Sequence, residues 1–135
     1  MDQALISNPY VMSKYVDGFV FAVPTKNVEA YKKMAKEASK VWRKFGALDY
    51  KECMGEDLNP DSKGQKMFPF PKMARITPTE NVWFSFIVFK SRAHRDAVNK
   101  KVMAYFDEKY KDMKDMPMPF DTKRMAYGGF SVVVE

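Results

Sequence analysis

Two segments of the chain, residues 15–23 and 82–89, would present apolar side chains on both faces if they formed β-strands. Successive side chains of a strand point to opposite faces of a sheet. In the first segment Phe19 and Phe21 therefore share one face, and Val20 lies on the other. The second segment repeats this pattern. Both segments consequently need cover on each side, which is typical of central strands in a packed sheet.

Two helices are predicted by apolar residues that recur at helical spacing. We expect Thr25 to act as the N-cap of the first helix, which ends at Gly46, and Ser91 to cap the second. The inward positions are Val28, Tyr31, Ala35, Ala38, Trp42 and Phe45 in the first helix, and Ala97, Val98, Val102, Tyr105 and Phe106 in the second.

Two further strands complete the predicted set of elements. Residues 47–55 are expected to form an edge strand, because charged residues such as Glu52 suit an exposed position. Residues 124–134 are expected to form the last strand. The region 56–81 is interrupted by prolines and predicts a loop, with room for a short strand at 72–76.

The resulting order of elements, strand, helix, strand, strand, helix, strand, is the ferredoxin-like βαββαβ arrangement of an α+β protein. Right-handed crossovers would place both helices on one face of a four-stranded antiparallel sheet, with the first and third strands in its centre. Residues 1–14 are interpreted as an N-terminal extension and 15–135 as a single domain.

The sheet face away from the helices would expose more apolar surface than a monomer usually tolerates. A second copy packed face to face would cover it, which predicts a homodimer of the dimeric α/β-barrel type. Cover by the extension and the long loop of the same chain is the alternative.

Composition adds a few limits to this picture. The chain has 135 residues and one cysteine, Cys53, so an intrachain disulfide is excluded. No apolar run approaches the roughly 18 residues of a membrane span. We therefore expect a cytoplasmic protein without a membrane partner. The net charge of +6 permits an acidic partner without requiring one.

His94 is the only histidine and is our candidate catalytic residue. It lies in the first turn of the second helix, on the stripe of Val98 and Val102, where the helix dipole favours a neutral ring that could act as a base. A structural histidine with its hydrogen bonds satisfied is the alternative. No acid or cysteine stands at ligand spacing, so we expect no metal, and no cofactor is predicted.

Candidate ligand-binding residues lie in the first half of the second helix and at the start of the last strand: Arg92, Arg95, Asn99, Arg124 and Tyr127. A helix N-terminus with arginines attracts anions, although a solvated face explains the same pattern. The first helix also has a basic outer face, but its aromatic residues fall on the buried stripe. This argues against a nucleic-acid partner.

Several segments of the chain resemble one protein family. They are residues 15–20 (YVDGFV), 41–42 (VW), 45–48 (FGAL), 50, 52–53 (EC), 91–103 (SRAHRDAVNKKVM) and 118–130 (MPFDTKRMAYGGF). They are similar to the YbaA-like family, which carries domain of unknown function 1428. The resemblance implies dimeric α/β-barrels built from ferredoxin-like subunits, and it implies no activity and no catalytic residue.

Three functions remain open at this point. The first is the binding of a small ligand, with anionic ones among the candidates, between the sheet and the helices. A cofactor-free monooxygenase-like enzyme would be a catalytic version of it, by analogy of fold alone. The second is a non-enzymatic assembly or regulatory module. RNA binding is the least favoured.

Overall fold

The computed structural model describes residues 13–113 and 117–135, so most of the predicted N-terminal extension lies outside the described residues. Its main elements are β1 (Tyr15–Pro24), α1 (Val28–Lys44), β2 (Asp49–Met54), α2 (Phe70–Met73), β3 (Glu80–Phe89), α3 (Arg92–Lys109) and β4 (Ala126–Ser131). The predicted order of main strands and long helices is confirmed.

The four strands form one antiparallel sheet in the order β2-β3-β1-β4. The two doubly apolar segments are thus the central strands, as the sequence predicts. Their pairing places Phe21 opposite Trp83 on one face and Val20 opposite Phe84 on the other. The pairing of β4 with β1 runs through Gly129 without a bulge.

The long helices α1 and α3 cover the same face of the sheet, where the main core lies. One buried cluster joins Phe21 and Trp83 to Tyr31 of α1. A second cluster joins Phe89 to Val98 of α3, together with other apolar side chains of both helices. Because large aromatic side chains dominate this layer, burial of their surface is the main contribution to stability here.

We call the opposite side of the sheet the open face. The segment between β2 and β3 covers one end of it, where Ala74 packs with Val20 and Val82. The other end stays accessible: Phe84 is 44% exposed and Phe130 is 62% exposed. A groove of about 580 Å³ lies between these side chains. The cover provided by the described loop is therefore partial.

Two local predictions are wrong. Thr25 does not cap the first helix; it begins a 3-10 turn, and the residue at the N-cap of α1 is Asn27, whose side chain makes no capping hydrogen bond. The predicted strand at 72–76 is absent from this part of the described chain, which instead contains the short helix α2. Pro69 and Pro71 explain the difference, because proline lacks the N–H that a strand needs and fits the first turn of a helix.

The prediction for the second helix is confirmed at its start, where the Ser91 hydroxyl accepts a hydrogen bond from the backbone N–H of His94. The last strand is shorter than predicted, because residues Thr122–Arg124 form a 3-10 turn before it. In the described ranges 13–113 and 117–135, no helix has the length and apolar character needed to cross a membrane.

Candidate functional site

A cavity of about 280 Å³ lies between α1 and the β2 edge of the sheet, and we call it the Glu52 cavity. Its lining residues are Lys32, Ala35, Lys36, Ser39, Tyr50, Glu52 and Trp83. This volume is just below that of most ligand pockets, which span about 300–1,000 Å³. The cavity is therefore sized for a small metabolite.

Local structure explains why these side chains meet. Tyr50 and Glu52 are two residues apart in β2, so both point toward the helices. Trp83 follows on the same face of β3, opposite Met54. On α1 the polar residues of the cavity stand at positions 32, 36 and 39, which is the spacing of one helix face.

The carboxylate of Glu52 is held by two tyrosine hydroxyls. The Tyr31 hydroxyl lies 2.8 Å from both carboxylate oxygens, and the Tyr50 hydroxyl donates to Oε1 at 2.9 Å. Burial raises the pKa of Glu52, and the two hydrogen bonds offset part of that rise. Burial and the neighbouring carboxylate raise the pKa of both tyrosines, so their hydroxyls stay protonated donors at neutral pH.

Trp83 contributes an indole N–H that has no hydrogen-bond partner among the described residues. The residue is only 4% exposed, so this donor is also shielded from bulk solvent. Leaving such a group unpaired costs about 1–3 kcal/mol. Trp42 provides a contrast, because its indole N–H donates to Asn99 at 2.9 Å.

Two lysines supply positive charge at the rim of the cavity. Lys32 Nζ is 3.5 Å from Glu29 Oε1, whereas Lys36 forms no ion pair with any residue in the described ranges. Both belong to the exposed side of α1. The cavity thus combines a cationic rim with one carboxyl group and with aromatic lining residues, of which Trp83 carries a buried N–H donor that has no partner among the described residues.

A second polar cluster surrounds Asp17, which is 1% exposed and lies near the start of β1. Arg95 donates to its Oδ1 at 2.9 Å, and the Asn99 amide donates to Oδ2 at 3.3 Å. Arg95 also contacts the Tyr127 hydroxyl at 3.1 Å. Burial raises the pKa of Asp17, while the hydrogen bond from Asn99 and the charge of Arg95 lower it in part.

Three of the five candidate ligand-binding residues, Arg95, Asn99 and Tyr127, are therefore brought together. Their donors are directed at a carboxylate of the same chain, and Arg95 also pairs with Asp96 at 2.8 Å. The positive charge of this cluster is already compensated. It binds α3 to β1 and β4, which is sufficient to explain its hydrogen bonds.

The other two candidates lie elsewhere. Arg92 is exposed at the start of α3. Arg124 pairs with both carboxylate oxygens of Glu80 and with Asp121. This contact lowers the pKa of Glu80 to about 2, so the pair stays ionised at neutral pH.

His94 does not line the Glu52 cavity. Its Nδ1 accepts a hydrogen bond from the backbone N–H of Lys90 at 3.0 Å, and its ring packs edge-on against Phe89. Burial, followed by the charges of Lys90 and Lys101, lowers its pKa, which is the direction expected from the sequence. Its catalytic role stays a prediction.

Asp17 and Glu52 are the carboxylates at the centres of the two polar clusters, and the sequence analysis singled out neither of them. A signal existed for Asp17, because it falls in phase with the inward Phe19 and Phe21 of an apolar strand. Glu52 is in phase with Tyr50, but nothing in the sequence pairs it with Tyr31. Across residues 13–113 and 117–135, no group of three or more histidine, cysteine, aspartate and glutamate side chains could hold a metal ion.

The arrangement of strands and helices defines a ferredoxin-like α+β protein, and the comparisons with known proteins agree. A crystal structure of a dimeric ferredoxin-like protein from an uncultured marine organism matches with a TM-score of 0.50 and 13% identity. The match covers 91% of this chain and 98% of that one. At this identity the likeness concerns the fold alone.

A family model and curated relatives of higher sequence identity show the family of the chain. The model of the family described as protein of unknown function (DUF1428) matches residues 14–122. The uncharacterized protein YbaA of Escherichia coli strain K12 is 42% identical over 122 residues, which are 90% of this chain and 98% of that protein. YbaA of Shigella flexneri gives the same values. The chain belongs to the DUF1428 family, as its sequence motifs predict.

Proposed function

We propose that the protein binds a small carboxylate-bearing molecule in the Glu52 cavity. The observation that carries this proposal is that Trp83, which lines a cavity with a cationic rim, has a buried indole N–H without a partner among the described residues. A ligand oxygen would satisfy that donor. Native proteins rarely leave such groups unpaired, and a binding site is one reason for an exception.

The charges of the cavity favour an anion at its rim. Lys36 and Lys32 would attract the carboxylate of the ligand, and the Ser39 hydroxyl could donate a hydrogen bond to it. Glu52 would repel an anion only while it is ionised. The hydrogen bonds that its carboxylate accepts from two tyrosine hydroxyls reduce that repulsion.

The two tryptophans provide an internal test of ligand binding. In a proton–nitrogen correlation spectrum each indole gives one Nε1–H signal, from Trp42 and Trp83. We expect titration with pyruvate, 2-oxoglutarate or malonate to shift the Trp83 signal in a saturable way. The Trp42 signal should stay in place, because that N–H is already bonded to Asn99.

Substitution of a lysine at the rim of the cavity distinguishes specific binding of the ligand from a nonspecific effect of charge. Lys36→Gln should weaken the titration several-fold, whereas Lys33→Gln, which removes an exposed lysine that does not line the cavity, should not. A Trp83 signal that does not respond to any of the three carboxylates at millimolar concentration would exclude this function.

We also propose that the protein is a homodimer in which two open faces pack against each other. Its support is the exposed apolar end of the open face, where Phe84 and Phe130 flank the groove. The marine ferredoxin-like protein is described as dimeric. A non-enzymatic assembly role would use the same surface.

A further inference from the structure

We propose that Glu52 transfers a proton to and from carbon in the Glu52 cavity, enolising a small 2-oxo carboxylate. The proposal rests on the ligand site proposed above and adds a reaction to it. Four features of the cavity carry it: a carboxylate held in place, neutral hydroxyls beside it, a buried N–H donor, and a cationic rim. Each has a separate part in such a reaction.

Glu52 has the geometry of an oriented base. Tyr31 on α1 and Tyr50 on β2 hold its carboxylate by hydrogen bonds of 2.8 and 2.9 Å, respectively. The tyrosines themselves remain protonated, so they cannot take the proton. A carboxyl group whose pKa is raised toward the working pH is also a stronger base than an ordinary one.

Trp83 offers the group that the enolate would need. Removal of a proton next to a carbonyl moves negative charge to the carbonyl oxygen, and a buried donor aimed at that oxygen stabilises it. Trp83 lines the cavity, and its indole N–H is a buried donor without a competing partner among the described residues, so it would be free to donate to the enolate oxygen. Lys36 and Lys32 would hold the carboxylate of the substrate at the opposite, solvent-facing side.

The step balances within the substrate and Glu52. The carboxylate takes a proton from carbon 3, the electrons of that C–H bond form the C2–C3 double bond, and the carbonyl electron pair moves onto oxygen. Return of the proton, or of a deuteron from solvent, regenerates the keto acid. The step consumes no oxidant, reductant or second substrate.

Deuterium exchange measures this step directly. Pyruvate is incubated with the protein in deuterated buffer, and the loss of its methyl proton signal is followed by NMR. We expect the protein to accelerate that loss, and Glu52→Gln to reduce the acceleration by roughly a hundredfold or more. Glu56→Gln, an exposed carboxylate outside the cavity, serves as the matched control.

Tyr50 is a positioning residue in this scheme. Tyr50→Phe removes one hydrogen bond to Glu52 and should shift the pH at which exchange is half-maximal upward, because that hydrogen bond lowers the pKa of Glu52. A merely structural tyrosine would change stability without moving the pH profile.

The outcomes distinguish this proposal from the binding proposal. If pyruvate shifts the Trp83 indole signal and no exchange occurs, proton transfer is excluded and binding stands. If pyruvate, 2-oxoglutarate and malonate all leave the Trp83 signal in place and pyruvate is not exchanged, both proposals fail. Exchange that survives Glu52→Gln and is lost in His94→Asn would overturn the role of Glu52 and favour the histidine.

Discussion

At the scale of single residues, Glu52 on the edge strand β2 differs most from the expectation for a charged residue. The sequence suggested that the charges of residues 47–55 face solvent, and Lys51 does so. Glu52, however, lies on the helix-facing side with Tyr50 and meets Tyr31. Alternation could have assigned the face of Glu52. It could not have identified Tyr31 as a partner, because that contact depends on how α1 packs against β2.

The raised pKa of Glu52 predicts a pH-dependent stability. Its pKa lies above the ordinary value of 4.5 in the folded state. Below that ordinary value both folded and unfolded chains are protonated, and the favourable contribution of this group is complete. This contribution to stability is lost as the pH rises through the pKa of the folded state. The reason is that Glu52 has a lower pKa in the unfolded chain, so ionisation favours unfolding.

Thermal unfolding of the wild type and of Glu52→Gln at pH 4 and pH 8 tests this sign. We expect the melting temperature of the wild type, relative to the variant, to fall by a few degrees between the two pH values. Tyr31 and Tyr50 do not titrate in this range, and Glu56→Gln controls for the loss of a carboxylate. A relative gain of the wild type at pH 8 would show that its pKa is lowered instead.

At the scale of elements, the end of α1 packs closely against the start of α3, and a glycine at the contact makes this possible. Gly46 has a φ of +116°, a conformation that L-residues rarely adopt. A Cβ at this position would lie 3.2 Å from Nε2 of His94. The glycine therefore ends α1 and also makes room for the histidine of the other helix.

Gly46→Ala should destabilise the protein by more than the backbone strain alone, which is about 1–2 kcal/mol for a left-handed residue. Gly64→Ala is a matched control, since Gly64 has a φ of +83° and nothing within 4 Å of an added Cβ. Chemical denaturation of both variants gives the comparison. Equal losses would show that the contact with His94 adds nothing.

Much of the element order was accessible from periodicity. The doubly apolar β1 and β3, and the helical stripes of α1 and α3, are long enough for their burial pattern to be decisive. The turn at Thr25 and the short helix α2 could not be predicted from periodicity, because each depends on neighbouring prolines and on local hydrogen bonds. The Glu52 cavity combines residues from three elements, and only tertiary packing brings these together.

At the scale of the whole molecule, the main feature is the apolar surface of the open face, which the doubly apolar strands predicted to need cover. The chain covers one end of it with Leu58, Ala74 and Ile76. The groove at the other end is lined by apolar side chains and glycines, a surface that a stable monomer seldom leaves accessible. In the proposed homodimer a second copy would cover this groove with the same surface, as an isologous interface requires.

Light scattering at low micromolar concentration should therefore report about twice the 15.7 kDa mass of the chain. Phe84→Lys should shift the protein to the monomer mass, because the added charge would have to be buried between two apolar faces. Val134→Lys is the matched control: Val134 is 87% exposed and lies outside the groove. Circular dichroism must show that both variants retain their helices and strands. A wild-type protein of monomer mass, or a folded Phe84→Lys variant that remains dimeric, would mean that the open faces do not form the interface.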